Sequence, residues 1–120
     1  MAIPITLVLG ASLNPLRYSN KAIRTLLEKK HKVIAVGNKE GTVEEVSIVK
    51  DFPTEKIHTI SVYLGVKNQI PYYENIISSK PNRIIFNPGT ENPDLAKLAI
   101  DQGIEIIDGC TLVMLSLGNY

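Results

Sequence analysis

The stretch Leu7-Val8-Leu9-Gly10-Ala11-Ser12 runs directly into Leu13-Asn14-Pro15-Leu16-Arg17-Tyr18-Ser19. Here the chain concentrates residue types able to hold a phosphate. An apolar run stops at Gly10, small residues follow, and a helical pattern starts a few positions later. Glycine lets the backbone turn sharply and come close to a ligand. The free amides at the start of the following helix attract an anion, and Arg17 adds a cation. The chemistry expected of this stretch is the binding of a phosphorylated ligand.

These residues need a scaffold, and the rest of the chain reads as one. Residues 5–9 form an apolar, partly β-branched run, which predicts a first strand. Ser19 or Asn20 can cap a helix reaching about residue 30, with Ala22, Ile23, Leu26 and Leu27 on its apolar face. Further strands are predicted at 33–36, weakly at 44–49 near a sheet edge, and at 57–64, 83–86 and 104–107. Gly41 and Thr42 are expected in a turn. A helix is expected over 67–79, with Pro71 in its first turn. Asn92-Pro93-Asp94 opens another, combining a capping side chain, a proline at the first helical position and an early acid. Leu95, Leu98 and Ala99 are its expected inner face, and Gly103 ends it. Residues 112–117 read equally as a strand or a short helix.

Alternation of strands and helices predicts an α/β, three-layer, Rossmann-like domain: a mostly parallel sheet of about five or six strands with helices on both faces. Its length of 120 residues suits one domain spanning 1–120. A formal net charge of +1 gives no general attraction to nucleic acid or membrane, and no apolar run is long enough to span a bilayer. A single Cys and the lack of a signal peptide pattern point to the cytoplasm. The apolar stretch 112–117 is a candidate for a homodimer interface or for an unidentified protein partner.

In such a sheet the ligand crevice lies at the carboxyl ends of the strands where the order reverses. Four turns are expected to converge there: 10–19, 37–39, 64–67 and 87–91, with 108–111 at the same edge. An NAD site wants G-x-G-x-x-G and an acid at the end of the second strand. This chain has one of those glycines, and its second strand ends Val36-Gly37-Asn38-Lys39. A lysine there suits a phosphorylated ribose, as found in NADP and in coenzyme A.

Gly10-Ala11-Ser12, Asn14-Pro15, Arg17 and Ser19 resemble the opening of the small stand-alone CoA-binding proteins, which are similar to the CoA-binding domain of the succinyl-CoA ligase α subunit. The resemblance continues through Val36-Gly37-Asn38, where the family often reads Val-x-Asn-Pro, through the helix after residue 86, and to the closing strand with Cys110. It implies that the amides of Gly10, Ala11 and Ser12, with the Ser12 hydroxyl, hold the pyrophosphate. Asn14 belongs to the same loop motif, and Arg17 and Ser19 would add phosphate contacts. Asn38 and Lys39 would lie near the adenosine end. Tyr63, Leu64 and Val66 would line the adenine or pantetheine path, and Asn87, Pro88 and Gly89 the far wall. Lys39 stands where the family has proline, residues 41–50 follow the pattern poorly, and Asn87-Pro88-Gly89 replaces a more apolar stretch.

Neither His31 nor His58 is expected near the crevice, so no Ser/His/Asp set forms, and one Cys with two scattered His gives no metal-site spacing. Glu91 and Asp108 are a conceivable carboxylate pair, although acids at strand ends more often cap turns. Cys110 could approach the crevice and exchange with a thiol, but unpaired cysteines are commonly packing residues. Tyr72 and Tyr73 are read as packing rather than base-stacking residues. The favoured expectation is a non-enzymatic protein that binds coenzyme A or acyl-CoA as a sensor, carrier or partner subunit. The alternatives are a small NADP(H)-binding oxidoreductase-like protein and a vestigial scaffold for protein interaction.

Overall fold

The computed structural model describes residues 3–120. Seven strands form one sheet: β1 (Ile5–Leu9), β2 (Lys32–Val36), β3 (Gly41–Val43), β4 (Val46–Val49), β5 (Thr59–Val62), β6 (Arg83–Phe86) and β7 (Glu105–Asp108). Their spatial order is β3-β4-β2-β1-β5-β6-β7. All neighbours run parallel except β3 with β4. The helices are α1 (Tyr18–Glu28), α2 (Val66–Gln69), α3 (Tyr73–Ser79), α4 (Pro93–Asp101) and α5 (Thr111–Leu117), with a 3-10 turn at Ile70–Tyr72.

Every residue of β1 is buried, as a strand covered on both faces requires. Its side chains alternate between two cores. Leu7 and Leu9 join Ile60, Val62, Ile84 and Phe86 beneath Ile76 of α3 and Leu95 and Ala99 of α4. Val8 joins Ala35 and Ile48 beneath Ile23 and Leu26 of α1 and Leu115 of α5. The sheet is therefore the middle of three layers in a Rossmann-like α/β fold. The order reverses between β1 and β5, which places a crevice at their carboxyl ends.

The expected architecture is present, with local corrections. Residues 41–43 are a strand rather than a turn: Val43, Val46 and Ile48 are buried against α1, and the reversal falls at Glu44, which has φ 52°. This hairpin brings the sheet to seven strands. The helix expected over 67–79 is broken, because Pro71 supplies no amide and its ring crowds the preceding turn. Asn20 does not cap α1; the cap position is Arg17, in extended backbone with no capping side chain. Asn92 caps α4 as expected, its Oδ1 accepting from the Leu95 amide at 3.1 Å. Leu98 lies outside that helix's inner face and is exposed. Residues 111–117 are helical, with Val113 and Leu117 exposed.

At the carboxyl end of α3, Lys56 Nζ donates to the Lys80 carbonyl at 2.9 Å, a cation placed to suit the helix dipole. Among the described residues no helix is long and apolar enough to cross a membrane.

Candidate functional site

The carboxyl ends of β1, β2 and β5 are laced together before any ligand is considered. The Gly10 and Ala11 amides both donate to the Val36 carbonyl at 2.9 Å, and the Tyr63 amide donates to the Leu9 carbonyl at 2.8 Å. Two glycines permit this approach. Gly10 has φ +96°, and a side chain there would meet Leu64 at 3.0 Å. A Cβ on Gly37 would lie 2.4 Å from the Ala11 carbonyl oxygen. Sequence reading identified the first glycine by its motif and gave Gly37 no such role.

Above this floor lies a cleft of about 880 Å³. From the loop after β1 and the start of α1 it is lined by Gly10, Ala11, Ser12, Asn14, Arg17 and Ser19, all of them expected site residues. The end of β2 contributes Asn38 and Lys39, the end of β5 contributes Tyr63 and Leu64, and the loop after β6 contributes Pro88. Leu13, Tyr18, Gly37 and Thr90 also line it, within turns expected to converge here but not named as contacts, and Asn68 and Tyr72 line it from outside those turns. Tyr72 was assigned to packing alone; it does touch the core beneath α3, but it also forms cleft wall.

Three expected residues lie outside the lining. Val66 is exposed at the start of α2. The Gly89 amide is taken by Glu91 Oε1 at 3.0 Å. Asn87 is buried and ties the sheet to α5: its Nδ2 donates to Ser61 Oγ at 3.0 Å and the Val62 carbonyl at 2.9 Å, while its Oδ1 accepts from the Thr111 amide at 2.9 Å. Those bonds use both N–H donors of the side chain and engage its oxygen, leaving Pro88 and Thr90 as the wall.

A second correction concerns the expected pyrophosphate amides. Gly10 and Ala11 line the cleft, but their N–H groups are spent on Val36. Among the described residues the Ser12 and Leu13 amides have no such partner, and the first-turn amides of α1 carry no capping side chain. The free amides of this loop are thus those of Ser12, which was expected, and Leu13, which was not. The loop that presents them is held by Asn20, whose Nδ2 donates to the Ser12 carbonyl at 2.9 Å, and by Arg24, whose Nη2 donates to the Pro15 carbonyl at 3.0 Å. Only their spacing of four on a helix could have hinted at that pairing.

Charge in the cleft is one-sided. Arg17 and Lys39 line it, and no carboxylate does so among the described residues. No acid occupies the first turn of α1, so the helix end is free to meet an external anion. Glu91 and Asp108 are absent from the lining, and Glu91 is engaged with Gly89. His58 lies at the opposite sheet edge, its Nδ1 2.8 Å from Thr59 Oγ1, and His31 packs edge-on against the Tyr120 ring.

The opposite wall is stiffened by a buried amide network. Gln69 Nε2 donates to the Leu64 carbonyl at 2.9 Å and the Thr90 carbonyl at 2.8 Å, and its Oε1 accepts from Asn92 Nδ2 at 2.9 Å. Asn92 also donates to the Tyr73 hydroxyl at 2.7 Å. Deeper still, the Tyr63 hydroxyl is buried without a hydrogen-bond partner. Burial pushes this phenol up to about 12, an effect the nearby Ser61 and Thr111 hydroxyls only partly oppose. Those two hydroxyls already bond each other at 2.7 Å. Cys110 sits at the cap position of α5 beside Tyr63 and outside the cleft lining.

Similarity to known proteins agrees with this geometry. The crystal structure of an uncharacterized protein superposes with a TM-score of 0.94, at 41% identity over 100% of both chains. Cell-free ID.343 from Thermus thermophilus superposes at 0.87, with 17% identity over 98% of this chain and 91% of that one. The dinucleotide-forming acetyl-coenzyme A synthetase 1 of Ca. Korarchaeum cryptofilum superposes at 0.73, with 13% identity over 88% of this chain and 26% of that one. The last two share the fold. No curated protein matches the chain. The CoA binding domain model matches residues 5–116. With nearly the whole chain covered, the protein belongs to the CoA binding domain family.

Proposed function

We propose that the cleft binds coenzyme A, and that the chain acts as a cytoplasmic, non-catalytic binding module: a sensor, a carrier or a subunit serving a partner enzyme. The observation that carries this reading is a large cleft with two cations, no lining carboxylate and an uncapped helix start, in a chain of the CoA binding domain family. The diphosphate would meet the Ser12 and Leu13 amides, the first turn of α1 and Arg17. Lys39 would face the 3′-phosphate of the adenosine end, and the pantetheine arm would pass Leu64, Tyr72 and Thr90. A volume of about 880 Å³ is toward the upper end of small-molecule sites, as a ligand of this length needs.

The non-catalytic part of the reading rests on where reactive groups lie. The histidines contact residues at the far sheet edge, and Glu91 is engaged with Gly89. The synthetase neighbour matches this chain over only 26% of its own length, which suits a binding module used apart from larger machinery. Lys39 equally suits the 2′-phosphate of NADP, so that cofactor is the competing ligand.

Calorimetric titration with CoA, 3′-dephospho-CoA, acetyl-CoA, NADPH and NAD separates these readings. CoA is expected to bind with micromolar affinity, and Lys39→Ala to weaken it by about tenfold while leaving dephospho-CoA unchanged. Arg17→Ala is expected to weaken both. Binding of NADPH in place of CoA would reassign the ligand. Silence with all five would leave a scaffold for protein contacts.

A further inference from the structure

The loop that would present the diphosphate-binding amides touches the sheet at one place, where the Leu13 side chain lies against Gly41 of β3. Leu13 and Leu16 are exposed, as are Asn14, Pro15 and Arg17 between and after them. Its internal bonds are short-range: the Asn14 amide donates to Ser12 Oγ at 3.1 Å, the Leu16 amide to Asn14 Oδ1 at 3.0 Å, and the Arg17 amide to the Asn14 carbonyl at 3.0 Å. Such turns shape a loop without fixing where it stands relative to the sheet.

Two side chains of α1 hold the loop's carbonyls, and they are linked. Arg24 Nε donates to Asn20 Oδ1 at 2.8 Å, and its Nη2 reaches the Pro15 carbonyl at 3.0 Å. Asn20, buried and held by its oxygen, turns its Nδ2 onto the Ser12 carbonyl at 2.9 Å. In a trans peptide the carbonyl and the following N–H point in opposite directions. Drawing the Ser12 carbonyl onto α1 therefore turns the Leu13 amide away from the helix, and Leu13 lines the cleft.

We propose that Arg24 is a positioning residue for ligand binding: its guanidinium, acting directly on Pro15 and through Asn20 on Ser12, sets the direction of the amides that receive the diphosphate. The inference rests on the reading of the cleft as a coenzyme A site. It differs from a simple charge effect because the work is done by the fixed fork of Nε and Nη2. Lysine keeps the charge but offers one compact donor on a flexible stem and cannot reproduce that fork.

The test titrates CoA into the wild type, Arg24→Lys, Arg24→Gln, Asn20→Ala and the double variant Asn20→Ala/Arg24→Gln, with thermal midpoints measured in parallel. Arg24→Lys and Arg24→Gln should each weaken CoA by about tenfold, lysine giving no rescue, while unfolding midpoints move by only a few degrees. Asn20→Ala should lose a similar factor, and the double variant less than the product of the two single losses, since the residues act in series. Wild-type affinity in Arg24→Lys would overturn the proposal in favour of charge attraction, and multiplicative losses would overturn the route through Asn20. A wild type that binds no CoA would instead sink the ligand assignment itself.

Discussion

Gln69→Leu isolates the contribution of the buried amide network to the cleft wall. Gln69 is fully buried and bonds three partners: the Leu64 carbonyl at 2.9 Å, the Thr90 carbonyl at 2.8 Å and Asn92 Nδ2 at 2.9 Å. Leucine approximates the volume, so the cavity contribution is small. What changes is hydrogen bonding. Both carbonyls lose their side-chain donor, whereas Asn92 retains the Tyr73 hydroxyl at 2.7 Å. An orphaned buried polar group costs about 1–3 kcal/mol. Two orphans at the low end of that range and a partial third give about 2.5 kcal/mol. For a domain of this size that corresponds to a fall of roughly 10 °C in the thermal midpoint.

The assay is urea and thermal unfolding followed by circular dichroism, with CoA titration on the folded protein. Leu64 and Thr90 both line the cleft, so loss of affinity should accompany loss of stability. Gln69→Glu provides a signed control. At neutral pH its carboxylate would confront two carbonyl oxygens, a larger loss than with leucine. Burial among acceptors raises that acid's folded pKa, so the penalty relative to wild type should ease as pH falls toward its unfolded value of about 4, where a proton restores one donor. A loss below about 1 kcal/mol in Gln69→Leu would refute the reasoning, since water would then be replacing the amide at little cost.

Two further outcomes follow from the same floor and wall. Gly37→Ala places a Cβ 2.4 Å from the Ala11 carbonyl oxygen, a backbone atom that cannot rotate aside. It should destabilise by about 2 kcal/mol or more and weaken CoA binding, as read by unfolding midpoint and calorimetry. Tyr63→Phe removes a buried hydroxyl that has no partner, so stability at neutral pH should rise by about 1 kcal/mol. The wild-type phenol is raised from 10.0 to about 12, so the native state keeps its proton after the unfolded chain has lost it. Stability should therefore hold below pH 10 and fall as pH climbs toward about 12, and Tyr63→Phe should flatten that decline in denaturant titrations. Destabilisation by Tyr63→Phe at neutral pH would show the hydroxyl to be bonded.

Much of this fold was legible because its strands are covered on both faces. The run 5–9 is wholly buried and 83–86 nearly so, each where its composition put it; the edge strand β7, half-buried, begins one residue later than the expected 104–107. The Asn92-Pro93 start of α4 was legible because the cap bond is local to three residues. Of the hairpin at 41–49 only the second strand was legible, since β4 lies within the weakly expected run 44–49; β3 is three residues long and buries only Val43 in the α1 cluster. Residues 111–117 became decidable only from their partners: Thr111 bonds Ser61 and Asn87, and Leu115 enters the core beneath α1.

The cleft shows the same division. Residue type and position in the motif located Gly10, Ser12, Arg17 and Lys39 at its walls. They did not reveal which N–H groups remain free, because that depends on which carbonyls lie across the sheet. Val36 accepts from both Gly10 and Ala11, and this follows from the register of β1 against β2. Side chains outside the motif then aim the remaining amides. Asn87 and Gln69 hold the far wall, and Asn20 and Arg24 hold the loop. A small-residue turn after the first strand therefore marks where an anion could approach, whereas the donors left to meet it are selected by the bonds the surrounding chain has already made.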